Sequence, residues 1–542
     1  MPLAGSATPP PGAVAGDGVT LDVLVPPAVM HAIEGITFDL DGTLLGTSIH
    51  GQSVYRIDVD SGRVSVAVGP PHGESDDVAV GPAGTPAAGI LAWTAQFSGE
   101  IRIQRPGGLP EVALPNAPRV NPIAFSADGR LFTAQVGAGD DTLWELDPVG
   151  GKPPRRVASG KGRLNGFGFG PDGRLYAPQF GTDRLVAIDV DRGEYTTIAT
   201  GVGSPAAAKV APNGDVFSVD YLKGDLWLTP KSGAAPRIVA SVREPIDSLA
   251  FGRDGMVYVS NVADSSVLAI DPATGRSRTV VHGVFTIPLG MALDTLDGAP
   301  RLIVADPFGY RFVDPKDGTV TRPNWAANRG ASSAVAADAR FIAYSSATGS
   351  GRVRQLDRAS DSIAVESTAV GAPRGIALTT QGAMIVADAR EGRLLRVTAQ
   401  GVATLATGLE EPVALLLESD GVALVTEARA GRVTRVDLAD GRRTMLADGL
   451  VRPTGLARLP DGRLVVVEPD LGRVVALDLG SGERTILATG LKLSLDGLDL
   501  PKNTNAGVVV DRDGAIFVAC PGDNSIVRLS IAGDRRTGGK SR

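Results

Sequence analysis

Sulfur and imidazole are scarce in this chain. One cysteine, Cys520, excludes an intramolecular disulfide framework, and four histidines leave a Cys/His zinc site little to work with. Charge of one sign is not in excess either. The formal net charge is -7 over 542 residues, without the basic patch or stripe that marks a nucleic-acid partner. No apolar run reaches transmembrane length, and the opening MPLAGSATPPPGAVAGDG lacks the basic and apolar regions of a signal peptide. The expectation is a cytoplasmic protein with no nucleic-acid and no membrane partner. Its ends, 1–18 and 534–542, are Pro/Gly/Ala-rich or polar and are expected to be disordered tails.

Turn formers are plentiful: Gly 69 and Pro 38, scattered and not pooled, which indicates many short elements between turns. The length exceeds what one core fills, since single cores stop growing at roughly 250 to 300 residues. Self-similarity supplies the organisation. NPIAFSADGRLFTAQ (121–135), NGFGFGPDGRLYAPQ (165–179), DSLAFGRDGMVYVSN (247–261), RGIALTTQGAMIVAD (374–388) and TGLARLPDGRLVVVE (454–468) share one register. Each continues as further short apolar strands separated by Gly-containing turns, four strands to a unit of about 40 residues. Twelve such units, some degenerate, fit between Glu34 and Ala532.

One unit begins with GITFDLDGTLLGTS, 35–48. Taken alone it resembles the first motif of haloacid dehalogenase-like phosphatases, with Asp39 as phosphoryl acceptor and Asp41 as its acid/base partner. As a copy of the repeat it reads instead as a turn, in which Asp bonds nearby backbone. No long amphipathic helical pattern supplies the α/β core such a phosphatase needs.

A four-stranded repeat of about 40 residues predicts an all-β chain, a β-propeller of twelve four-stranded blades. Propellers usually have 4 to 8 blades, which favours two tandem six-bladed rings, 19–283 and 284–533, over one closed ring of twelve. The last unit lacks a fourth strand, and VTLDVLVP (19–26) is a spare one. In a single ring it pairs with the last unit; in two rings it closes on the sixth, leaving SRTVVHG (277–283) to complete the twelfth.

The residue eight before each turn glycine lies where the chain runs into the innermost strand, at one mouth of the central channel. In the first six units this slot holds Glu34, Asp76, Asn121, Asn165, Ala206 and Asp247. In the later units it holds Leu289/Gly290, a small residue near Ser333, then Arg374, Val413, Thr454 and Ala506. Oxygen donors converging on one axis suit a hard cation, although Asp and Asn also serve as idle turn residues. Arg374 reads as a solvated loop residue, with binding of a substrate carboxylate as the alternative. His31, His50, His72 and His282 all miss the slot. His31 precedes Glu34 by three and reads as packing or surface, with catalytic base as the alternative.

AIEGITFDLDGTL, LNGFGFGPDGRLY and PIDSLAFGRDGMVYVSN resemble the senescence marker protein/gluconolactonase (regucalcin-like) family, six-bladed calcium-dependent propellers that hydrolyse lactones and related esters. The resemblance implies Glu34, Asn165 and Asp247 as ligands of one divalent metal and Asn121 as an auxiliary that contacts water or substrate. Asp247 departs from the family pattern by one blade, since the expected blade offers Ala206. The implied metal is Ca2+, with Mn2+, Mg2+ or Zn2+ as alternatives; it would polarise a carbonyl and acidify water while Asp247 takes the proton. The implied partner is a small-molecule substrate. Two other functions fit a propeller: a lyase or cyclase of secondary metabolism, and a non-catalytic ligand- or protein-binding module, with a protein partner reached through the second propeller.

Overall fold

The computed structural model describes residues 10–137, 139, 141–296, 298–323, 332–345, 351–495 and 505–532. The chain is all-β: among the described residues the helical structure is one 3-10 turn, Pro469–Leu471. No helix among them is long and apolar enough to cross a membrane. Among the described residues the strands form twelve antiparallel sheets, eleven of four strands and one of five, and ten of them run as four consecutive strands, the up-and-down meander expected of a propeller blade.

The first sheet shows why the repeat folds this way. Ile36–Phe38 pairs with Leu44–Ser48 across the Asp39–Thr43 turn, closed by Asp39 N to Thr43 O at 2.9 Å. Gly42 takes φ +89, a left-handed value that glycine tolerates without strain. Arg56 on the next strand clamps the turn, donating to Asp39 at 3.0 Å and to Asp41 at 2.6 Å. Both acids of the phosphatase-like motif are therefore turn and ion-pair residues. Leu44–Ser48 is buried throughout, whereas Val64–Val68, the fourth strand, is largely open to water. The short alternation of the outer strand and the apolar run of the second follow from that difference.

The chain divides into two compact units, Val29–Thr286 and a second built from residues 1–28 with 287–542. In the unit Val29–Thr286 the sheets start at Ile36, Val78, Val120, Gly168, Pro205 and Ile246. Each first strand lies beside the next, and Ile246–Phe251 lies beside Ile36–Phe38. All six contribute to one cavity of about 300 Å³, through Phe38, Val80, Phe125, Phe169, Lys209 and Phe251 among others. Buried hydroxyls tie neighbouring sheets: Thr94 Oγ1 donates to Asn121 O at 2.8 Å, and Ser260 Oγ to Glu34 O at 2.6 Å. Thr47 Oγ1 does the same for Asp76 O.

In the other unit the sheets start at Met291, Ala334, Pro373, Pro412, Leu456 and Val508. Their first strands again lie side by side, with Met291–Leu296 against Val508–Val510. Val19–Val25 supplies the fourth strand of the last sheet, from Val19 opposite Ile531 to Val25 opposite Ile526. This corrects the expected start of the first propeller at residue 19 and the closure of 19–26 on the sixth sheet. That sheet completes itself with Ser277–Val281, paired to Val267–Ile270. The physical reason is an open edge: without Val19–Val25, Ser525–Ile531 would leave a row of backbone donors and acceptors unpaired. The expected disordered tail 1–18 is corrected in part, because Val14–Ala15 pairs with Ala488–Thr489 as a fifth strand. Residues 1–9 and the expected tail 534–542 lie outside the described residues.

Candidate functional site

The slot residues of the unit Val29–Thr286 sit at or just before the first strands, where the hydroxyl ties fix their backbones. Glu34 is held at both ends, its N donating to Thr47 O at 2.9 Å and its carbonyl accepting from Ser260. Its side chain is buried; Oε2 accepts from Ile49 N at 3.1 Å, and Oε1 lies 3.5 Å from His50 Nδ1. Gly35 N donates to Asp76 O at 2.8 Å, and a Cβ on Gly35 would fall 2.7 Å from Asp77 Cα. A glycine here is what lets the first sheet approach the second so closely.

Asp76, also buried, accepts from Asn121 Nδ2 at 2.7 Å. Asp77 is turned into the backbone, accepting from Val78 N at 2.9 Å and Ile123 N at 3.2 Å. Burial is the leading cause in raising each carboxyl here. Glu34 is raised by burial, against the opposing effect of His50. Asp76 is held well above the usual carboxylate range by burial and then by the charges of Asp247, Glu34 and Asp77. Asp247 is pushed up to about 7 by burial, then by Glu34 and Asp77. Tyr221 is raised by burial and by the same Asp247, Glu34 and Asp76. Asp76, Asp247 and Tyr221 thus each feel the charge of Glu34, with Glu34 and Asp76 buried and Asp247 and Tyr221 half-buried.

Of the residues expected from sequence, Glu34 and Asp247 belong to this set, and Asn121 reaches it through Asp76. Asn165 is half-buried, and its Oδ1 accepts from its neighbour Gly166 N at 3.0 Å; among the described residues it bonds to none of the acids. Asp77, Tyr221 and His50 were not singled out for the site. The Asp76–Asp77 doublet at a slot was a readable signal for the first; Tyr221 carries none, because only the packing of its sheet brings it near Asp247. His31 is buried with Nδ1 3.2 Å from Thr286 O, a packing position.

Among the described residues no three His, Cys, Asp or Glu side chains are grouped as a set that could hold a metal ion. The donor chemistry nonetheless fits a hard cation: the donors are oxygens, buried or half-buried, and Asp76 and Asp247 are raised by neighbouring negative charge that a divalent ion would neutralise. Such an ion would have to draw the groups together.

Arg374 is corrected. It lies within the first strand Pro373–Leu378 of its sheet at 9% exposure and is not a solvated loop residue. Burial lowers its pKa to about 10; Glu411 opposes that shift and Arg452 adds to it.

No family model matches the chain, and no curated protein matches it. Among solved structures, a gluconolactonase from Xanthomonas campestris is similar over 48% of this chain and 97% of its own, at 17% identity and a TM-score of 0.37.

Proposed function

We propose that the chain is two six-bladed propellers, and that the one formed by Val29–Thr286 is a metal-dependent hydrolase of a lactone or ester. One observation supports this reading: Glu34, Asp76 and Asp247 are all raised, Asp76 in part by the charges of Asp247 and Glu34, and Asp247 in part by that of Glu34. Perturbed carboxyls gathered at one end of a scaffold are where chemistry is expected. The family resemblance of the same segments points to the same chemistry. The side-by-side first strands support six blades to each ring, and in Val29–Thr286 all six line one cavity.

Glu34, Asn165 and Asp247 would hold the cation, Ca2+ first, with Mn2+, Mg2+ or Zn2+ as alternatives. A bound divalent cation supplies Lewis acidity to a carbonyl and to water. Asp247, a carboxylate once a cation offsets its neighbours' charge, serves as the base that takes a proton from the attacking water. Asn121, oriented by Asp76, positions substrate. Glu34 needs no mobile partner to stay in place, since Ile49 N and the Ser260 tie fix it.

The test is a thermal melt after EDTA treatment, with calcium, manganese or magnesium restored. Ligand at a hundred times its dissociation constant stabilises by about 2.7 kcal/mol, or roughly 5 to 10 °C for a unit of this size. A shift with one metal, lost in Glu34→Ala with the fold intact, supports the reading and leads to a lactone and ester screen. No shift with any metal overturns it in favour of a binding module.

A further inference from the structure

Close in sequence to Asn165 stands a group of opposite charge that the hydrolase reading does not use. The segment leading into the fourth sheet reads Lys-Gly-Arg-Leu-Asn, 161–165. Leu164 is buried at 1% exposure and bridged antiparallel to Gln179, so the backbone is extended there. Alternation along an extended segment turns the flanking side chains to the face opposite Leu164.

The Arg163 guanidinium stands 5.2 Å from the ring centroid of Phe180, which is 44% exposed. A Cβ on Gly181, at φ +81, would come within 2.8 Å of Arg163 Nη2, so a glycine there lets the guanidinium lie against the loop. Arg163, Phe180, Gly162, Gln179 and Asp141 line a cavity of about 330 Å³, at the lower end of the range for small-molecule sites, roughly 300 to 1,000 Å³. The polar neighbours are already engaged. Asp141 accepts from Gly160 N at 2.7 Å and Gly162 N at 2.8 Å, and Gln179 Nε2 donates to Lys161 O at 2.8 Å. Among the described residues Arg163 makes no ion pair.

An exposed phenyl ring alone needs no explanation. A guanidinium set over one face of a ring that is 44% exposed, at the wall of a cavity, offers two complementary groups: a planar fork that takes a carboxylate in two parallel bonds, and the uncovered surface of the ring, against which an aromatic group packs. We propose that the Arg163–Phe180 pocket binds an aryl carboxylate, the carboxylate on Arg163 and the ring on Phe180. If the unit is the hydrolase described above, the pocket selects a lactone or ester bearing an anionic aromatic part. That step rests on the hydrolase reading, whereas the pocket itself does not.

The experiment is calorimetric titration of the full chain with benzoate and with its neutral counterpart benzamide. Benzoate should bind at least tenfold more tightly. Arg163→Gln should erase that preference, Arg163→Lys should restore part of it, and Phe180→Ala should weaken both ligands. Both side chains reach solvent, so circular dichroism should report unchanged folds. Equal affinity for the two ligands, no benzoate binding at millimolar concentration, or full preference in Arg163→Gln would overturn the pocket. A calcium shift abolished by Glu34→Ala with no benzoate preference sinks the pocket and spares the hydrolase. Benzoate preference with no metal shift does the reverse.

Discussion

The two units are built from one repeat, yet they treat buried acids in opposite ways. In the unit that ends the chain, the acid at the close of a second strand is answered by an arginine five residues on. Asp388 meets Arg393 at 3.0 Å, Glu427 meets Arg432 at 2.8 Å and Glu468 meets Arg473 at 2.5 Å. Burial alone would raise Asp388, but the amides of Gly371 and Ala372 and the Arg393 guanidinium outweigh it. Glu427 is likewise brought below its usual value, with Arg432, Thr434 and Glu410 N overcoming burial. In Val29–Thr286 Glu34, Asp76 and Asp247 lie instead at or just before the starts of first strands, have no cationic clasp of that kind, and are all raised. Where an acid is matched by a cation and amides, it is a structural clasp. Where buried acids are raised, their charged forms cost stability, the pattern expected more often of a functional site than of scaffolding.

That contrast can be broken at several points. The largest effect is expected at a clasp: Glu427→Ala leaves Arg432, Thr434 Oγ1 and Glu410 N without their shared acceptor and should cost about 3 kcal/mol in denaturant unfolding. A loss near zero would remove the distinction. Next comes pH. A carboxyl raised in the folded state binds its proton more tightly there than in the unfolded chain. Its contribution is therefore full below the ordinary value of 3.8 and lost as pH rises through about 7 for Asp247. The depressed Asp388 and Glu427 act in the other direction, stabilising above their ordinary values and losing that only in acid. Calorimetry in EDTA should thus show a melt that falls by several degrees from pH 5 to pH 8, and calcium should cancel the fall. A melt that rises over that interval would contradict it.

A smaller and opposite effect is expected at the raised acids. Asp76→Asn keeps an acceptor for Asn121 Nδ2 and removes one repelling charge, so the metal-free protein should gain about 1 kcal/mol, while Glu427→Gln loses stability in the same assay. The smallest change is expected at the phosphatase-like turn. Asp39→Asn weakens a partly exposed pair with Arg56 and should cost no more than about 1 kcal/mol, with hydrolytic turnover unchanged. A large loss of turnover there would reopen the phosphoryl-transfer reading.

Much of this was legible beforehand. The Asp-Gly turns gave the register, because the left-handed φ at Gly42, Gly129 and Gly255 demands glycine at that place. The slot eight residues earlier then pointed to Glu34, Asp76, Asn121 and Asp247. The acid–arginine spacing of five in ADAREGR, TEARAGR and VEPDLGR was equally visible and went unread, since each pair resembles ordinary surface charge until its acid proves buried. Asn165 rests as a ligand on its motif alone; its Oδ1 accepts from the adjacent Gly166 N.

The sequence by itself determined the class of the chain and the number of its repeats, because turn chemistry and strand alternation are local and each copy repeats them. It also determined which strand was missing from the last copy. Only the tertiary structure decided where Val19–Val25 went, since either open edge offered the same backbone partners and packing chose between them. It also decided which acids influence one another. Glu34, Asp76 and Asp247 are separated by 42 and 171 residues in sequence, and the poorly solvated surroundings that raise their pKa values arise from the packing of first strands.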